Sequence, residues 1–333
     1  MFLKAPRTAV QFVEKSEQKT MRTTGTKCKR WDFLGKDTAF PLRIRLRVAH
    51  SGDAHIVPDM PELPEVEVLR RRLAPLLENR RVHGVEVHRP ASIRPHSIQE
   101  LTRRCLGSRL GPLTRRSKTL LLALTDSSGR PDGFLQIHLG MTGRVCVVAA
   151  HQTSPSHPAV ILDLGGARFV FSDVRGLGRF GWVSEPPQGL GPEPLDPGWT
   201  AAALAQALGA SRQPIKVRLM DPSCISGIGN IYAAEILFRA RIHPGRPSRA
   251  LSRPELGRLH GAIRSVLTEA IDVGWAATTS ANPAEWTLFH REVGAAGEAD
   301  NHGFAVYDRE GEPCLRCGRA VERIRQASRS TYL

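Results

Sequence analysis

Residues 185–198 constrain the fold of this chain more than any other stretch, reading Glu-Pro-Pro-Gln-Gly-Leu-Gly-Pro-Glu-Pro-Leu-Asp-Pro-Gly. Proline has no backbone N–H and a fixed φ, so neither a helix interior nor a central strand can run through such a segment. It reads as an interdomain linker. Before it, from 81 to 185, short β-like runs alternate with turn signals: 82–87, 120–124, 134–138, 145–148, 160–164, 168–171 and 180–183. Ser128-Gly129 and Gly165-Gly166 sit between runs as turns. That density of short strands predicts a β-sandwich or barrel. After the linker the apolar period becomes helical, predicting helices at about 200–208, 213–219, 230–241 and 253–273. The last is the clearest, with Leu256, Leu259, Ile263, Val266, Leu267, Ala270 and Ile271 on one face. The pattern predicts an α+β chain of two domains, an amino-terminal β-sandwich and a carboxy-terminal helical domain.

The 333 residues are enough for two cores, and 41% hydrophobic content can fill them. No apolar run approaches the ~20 residues of a membrane span. A formal net charge of +15 points to a polyanionic partner, most simply nucleic acid. Residues 1–59 hold 12 Lys+Arg and 6 Asp+Glu, so most of the excess lies beyond them. That leading stretch has no sustained periodicity and no secretory signal. Its acidic residues also argue against a transit peptide. It is expected to be a disordered basic arm or to precede the true start. Of six cysteines, Cys28, Cys105, Cys146 and Cys224 are scattered, which fits a reducing cytoplasm better than a disulfide framework.

Met60-Pro61-Glu62-Leu63-Pro64-Glu65-Val66-Glu67 opens the ordered part. If the mature chain begins at Pro61, its secondary amine is partly unprotonated near neutral pH, since α-amino groups titrate at about 7.7–8.0. Such an amine can attack an electrophilic carbon and carry a Schiff base. Glu62 beside it can supply a proton. Behind the intervening 59 residues and Met60 the same nitrogen is an unreactive amide. Val66, Leu69, Leu73 and Leu76 share one helical face after Pro64, so an amphipathic helix with a proline start accounts for the spacing equally well.

Further along, Ser226-Gly227-Ile228-Gly229-Asn230 is a tight glycine turn opening a helix, where backbone amides favour a phosphate. It is too short for a dinucleotide fingerprint, and a plain helix–turn–helix connection fits it as well. His138-Leu139-Gly140-Met141-Thr142-Gly143, Arg115-Arg116-Ser117-Lys118 and Asp173-Val174-Arg175-Gly176-Leu177-Gly178 read by themselves as a strand end and basic loops. Cys314-Leu315-Arg316-Cys317 is half of a four-cysteine zinc site.

Taken together and in this order, these motifs resemble the bacterial formamidopyrimidine-DNA glycosylases over residues 60–333. The resemblance implies a catalytic β-sandwich domain at 60–184 with a flanking helix and the linker at 185–198. It implies a helix–two-turn–helix domain at 199–303 and a zinc-finger-like hairpin at 304–333. It implies excision of oxidised purines from double-stranded DNA, with strand cleavage through a Schiff base on Pro61, by a cytoplasmic monomer. Pro61 is then the nucleophile, Glu62 the acid and Glu65 its support, while Lys118 reaches the flipped nucleotide. Met141, Arg175 and Leu177 match the three positions that fill the void left by base extrusion. Many members carry phenylalanine where Leu177 stands. Lys216 and Asn230 match phosphate ligands, Tyr232 lines the site, and Arg329 is the finger's DNA contact.

Two departures stand out. The family's finger takes zinc on four cysteines, whereas this sequence offers only Cys314 and Cys317, so weak or no zinc binding and a loosely held Arg329 are expected. Residues 275–303 match the family's lesion-capping segment poorly. The rival expectations are a non-catalytic binder of damaged or abasic DNA, its Pro61 amine blocked, and an endonuclease VIII-type enzyme acting on oxidised pyrimidines.

Overall fold

In the computed structural model of the chain, residues 60–279 and 303–333 are described. The expectation for the arm at 1–59, and most of that for the stretch 275–303, lie outside them.

Helix α1 (Leu63–Leu77) starts where Pro64 fits the first turn and where the Glu65 carboxylate accepts the Glu62 N–H at 2.9 Å. Val66, Leu69, Leu73 and Leu77 pack into the sandwich core, while Leu63 and Val68 belong to the helical core. Leu77, not Leu76, completes the inward stripe; Leu76 is only partly buried. Three turns of ~3.6 residues span about eleven residues, which returns 77 rather than 76 beneath Val66.

Eight strands follow: β1 (Gly84–Val87), β2 (Arg109–Arg116), β3 (Thr119–Thr125), β4 (Pro131–His138), β5 (Gly143–Ala149), β6 (Pro158–Asp163), β7 (Ala167–Asp173) and β8 (Arg179–Val183). They form two antiparallel four-stranded sheets, ordered β1-β6-β7-β5 and β2-β3-β4-β8. Leu113, Leu120, Leu122, Leu135 and Ile137 from one sheet meet Val160, Leu162, Phe169 and Phe171 from the other. Phe180 stacks between the two, its ring 6.2 Å from Phe169 and 6.0 Å from Phe171. Each such ring contributes about 1.5–3 kcal/mol by leaving water. Helix α2 (Ile98–Cys105) is capped by Ser97, which accepts the Glu100 N–H.

Beyond the sandwich lie α3 (Ala201–Leu208), α4 (Ile215–Leu219), α5 (Asn230–Ala240) and α6 (Arg253–Thr279). Leu259, Ile263, Val266, Leu267 and Ile271 of α6 are buried, on the face that the sequence pattern selects. The chain closes with a hairpin of β9 (Arg323–Gln326) and β10 (Arg329–Tyr332). Its two-residue turn has positive φ at both Ala327 and Ser328, which matches the twist of the strands. Val306, Tyr307, Val321 and Tyr332 join the helical core. The fold is therefore α+β, a β-sandwich followed by a helical region ending in a hairpin.

Residues 185–198 contain no helix or strand, yet they are tied down. Gly191 N–H donates to Pro222 O at 2.8 Å, and Ser226 N–H donates to Pro192 O at 3.1 Å. Among the described residues no helix is long and apolar enough to cross a membrane.

Candidate active site and DNA-facing surface

The site forms where the start of α1 meets the start of α5. The Glu62 carboxylate, only 3% exposed, accepts backbone N–H groups from Gly229 at 2.7 Å, Ile231 at 2.9 Å and Tyr232 at 3.3 Å. A helix start carries unpaired amides and partial positive charge, so a carboxylate is held there firmly. The amides on which a phosphate was one expectation receive a carboxyl group from 167 residues earlier in the chain. Burial pushes the Glu62 carboxyl above its ordinary range, opposed by the Lys118 ammonium and the amide hydrogen bonds and reinforced by Glu65. The result is an acid that keeps its proton to higher pH than a surface glutamate. Glu65 accepts from the Glu62 N–H and, at 2.6 Å, from the Tyr232 hydroxyl. Tyr232 therefore braces the start of α1. Pro61 is buried, its nitrogen acylated by Met60 in the sequence as it stands.

Lys118 sits at the tip of the β2–β3 hairpin, after Ser117 in the left-handed region at φ 57°. A Cβ added to Gly229 would come within 2.6 Å of its Nζ and would overlap the Glu62 carboxylate, so hairpin tip, acid and helix start converge on one point. His138 is nearby on β4. Burial pulls its pKa down, helped by Lys118 and Arg179, which favours the neutral ring. Its Nδ1 accepts the Gly140 N–H at 3.1 Å, which leaves the proton on Nε2.

The three proposed void-filling residues lie on two adjoining loops. Arg175 Nη1 contacts Met141 Sδ at 3.5 Å, and Leu177 is 46% exposed, a large apolar side chain facing solvent. Both loops hang on Asp173, which is 1% exposed. Its carboxylate accepts from the Thr142 hydroxyl at 2.5 Å, the Arg175 N–H at 3.2 Å and the Gly178 N–H at 2.7 Å.

Lys216 stands apart from its expected role. It is 1% exposed and donates to Asn230 Oδ1, Ser330 O and Thr331 Oγ1, each at 2.8 Å. Its ammonium is spent inside the protein, orienting Asn230 and pinning the hairpin instead of presenting a charge to a phosphate. Burial lowers its pKa to about 8, with Glu62 opposing and Arg329 assisting the drop. Arg329 is exposed on β10, the strand whose next two residues Lys216 grips. Glu235 of α5 anchors the approach to the hairpin by accepting N–H groups from Ala305, Val306 and Tyr307, each at 2.9 Å.

Zinc, which the resemblance implies, needs four protein ligands. Among the described residues no group of three or more His, Cys, Asp or Glu could hold a metal ion. Cys314 and Cys317 do not form such a site.

Sequence reasoning missed Glu193, Asp173, Glu235 and His138. Asp173 and His138 lay inside motifs already singled out, and Glu193 inside the proline-rich stretch, but none was given a role. The three carboxylates act through partners up to 78 residues away, which no local pattern shows.

Three family models match the chain. The formamidopyrimidine-DNA glycosylase N-terminal domain covers residues 60–180, the formamidopyrimidine-DNA glycosylase H2TH domain 190–282, and the zinc finger found in FPG and IleRS 311–333. The formamidopyrimidine-DNA glycosylase of Paracoccus denitrificans is 40% identical over 297 residues, covering 82% of this chain and 98% of that protein. That of Chloroflexus aurantiacus is 41% identical over 283 residues, covering 82% and 95%. Among solved structures, a complex of Lactococcus lactis Fpg with abasic-site DNA aligns with a TM-score of 0.70 at 25% identity, over 82% of this chain and 97% of that one. A complex of the same protein with N7-benzyl-Fapy-dG DNA gives 0.70 and 26% over the same shares. The chain belongs to the formamidopyrimidine-DNA glycosylase family and is a DNA glycosylase.

Proposed function

We propose that this glycosylase removes oxidised purines, 8-oxoguanine and ring-opened formamidopyrimidines, from double-stranded DNA and then cleaves the strand. The observation that carries the reading is Glu62, one residue from Pro61, a buried carboxyl group fixed on a helix start beside Lys118. With Pro61 at the amino terminus, its nitrogen lone pair forms a bond to C1′ of the damaged nucleotide. The glycosidic bond breaks and its electron pair leaves with the base, which takes up the proton released by the Pro61 nitrogen, through a transition state of oxocarbenium character. Glu62 gives its proton to the ring oxygen as the sugar opens. Pro61 and C1′ are then joined as an iminium, which acidifies the C2′ proton. Loss of that proton expels the 3′ phosphate, and a second elimination expels the 5′ phosphate.

Lys118 holds the flipped nucleotide by its phosphate or sugar. Met141, Arg175 and Leu177 fill the vacated stack, with Arg175 on the orphaned base. Asn230, oriented by Lys216, and Arg329 hold the DNA backbone, contacts that position the duplex without reading sequence. Residues 60–184 act as the catalytic domain, 199–303 as the DNA-binding domain and 304–333 as its finger, the whole working as a cytoplasmic monomer.

Borohydride trapping tests this. Protein beginning at Pro61 is expected to be captured covalently on an 8-oxoguanine duplex. Glu62→Gln is expected to lose base excision by about 100-fold or more, the usual worth of a general acid. Full excision by Glu62→Gln would falsify the assignment. A second reading is binding of damaged DNA without chemistry, by protein whose Pro61 nitrogen is acylated. That form is expected to bind and never to be trapped. Parallel assays on oxidised-pyrimidine duplexes decide between the purine reading and the endonuclease VIII type.

A further inference from the structure

The proline-rich segment between the sandwich and the helical region carries one carboxylate, Glu193, with contacts unlike those of a spacer. Its Oε2 takes Arg115 Nη1 at 2.7 Å, and its Oε1 takes Arg116 Nη1 at 3.0 Å and the Ser117 N–H at 2.6 Å. The same Oε1 accepts the Ser226 hydroxyl at 3.0 Å, on the turn that opens α5. Ser226 is fully buried, and the next residue's carbonyl, Gly227 O, accepts the Leu63 N–H at the start of α1 at 3.0 Å.

One side chain thus joins the hairpin that bears Lys118 to the turn that bears the Glu62 amides. Lys118 follows Ser117 directly, and Ser117 is held in the left-handed region, so its N–H direction sets where the next side chain leaves the hairpin. A charge-assisted bond to a backbone N–H is a short, directional restraint. Arg115 also donates to Glu67 Oε2 at 3.2 Å, and Arg116 to the Leu190 and Gly191 carbonyls at 3.0 and 2.8 Å, so Glu193 completes a set of contacts that turns both guanidiniums inward.

We propose that Glu193 is a positioning residue that sets Lys118 against the Glu62 acid by clamping the β2–β3 hairpin to the turn before α5. This rests on Lys118 acting in the site as stated above. Glu193 touches no substrate, and its effect runs through Lys118.

A double-mutant cycle tests the proposal in protein beginning at Pro61, with Glu193→Gln and Lys118→Ala separately and together. Single-turnover excision of 8-oxoguanine at saturating enzyme is expected to fall about 10- to 100-fold in Glu193→Gln, the effect of a catalytic group displaced by about 1 Å. Glu193→Asp, keeping the charge, recovers part of the rate. In the Lys118→Ala background Glu193→Gln is expected to add no further loss, since a residue acting through another is non-additive with it. Equal losses in both backgrounds, or an unchanged rate in Glu193→Gln, overturn the proposal. If Glu193→Gln does not fold, Ser226→Ala, which removes one anchor and keeps the charge, takes its place in the cycle. If the parent excises nothing, the functional reading above fails instead. The same cycle read as affinity for a duplex with a tetrahydrofuran abasic analogue then decides, non-additivity supporting the clamp and additivity ending it.

Discussion

Three carboxylates at the residue scale, Glu62, Asp173 and Glu235, are buried against backbone amides, and each reaches a segment distant in sequence, Asp173 through the Thr142 hydroxyl. Asp173 is the most exposed to test, because both loops of the proposed wedge depend on it. Asparagine offers one acceptor oxygen for the three donors that the carboxylate now satisfies. Leaving buried donors unpaired costs about 1–3 kcal/mol. Asp173→Asn is accordingly expected to lower the melting temperature by several degrees. It should also weaken the response of 2-aminopurine placed opposite the lesion, read by fluorescence on binding. An unchanged fluorescence response would mean that the loops hold themselves. Pro61 and Glu62 were legible in the sequence because they are neighbours in it. Asp173 was not, since Thr142 is 31 residues away and the link is made by register between β5 and β7.

At the scale of elements, strands β3 to β8 and helices α3 to α6 were legible because their apolar periods are clean. Strand β2 was not. It reads Arg-Leu-Gly-Pro-Leu-Thr-Arg-Arg, and Gly111-Pro112 sit where its register with β3 shifts, so the alternation breaks at a bulge. Helix α2 escaped because eight polar-rich residues hold too few turns to show a period. The meeting of α1 with α5 depends on a glycine whose need is steric, as φ at Gly229 is −125°, open to any residue. A methyl group there would overlap the Glu62 carboxylate. Gly229→Ala is expected to reduce base excision at least tenfold and to lower stability. Excision at the parent rate would show that Glu62 can leave the helix start without loss.

For the whole molecule, Lys216 links α4, α5 and the closing hairpin across 14, 114 and 115 residues. Burial favours its neutral form, so it sheds its proton at about pH 8 when folded and at about 10.4 when unfolded. Between those values the unfolded chain holds the extra proton, and stability rises with pH, by about 3 kcal/mol at most. Urea unfolding of Lys216→Met against the parent, from pH 7.5 to 10.5, should show that rise in the parent alone. The charge that marked a nucleic-acid partner was legible from composition, whereas the burial of this particular lysine was not, because its sequence surroundings resemble those of any basic helix. Helix α1 draws one further consequence from the architecture. Its two faces belong to two different cores, Leu63 and Val68 to one, Val66, Leu69, Leu73 and Leu77 to the other. A chain emerging from the ribosome therefore carries Glu62 early but lacks the amides that receive it until α5, some 167 residues later, has been made and packed. Half-synthesised or clipped chains lack this junction, and the Glu62 carboxyl finds its helix start only once the chain is complete through α5.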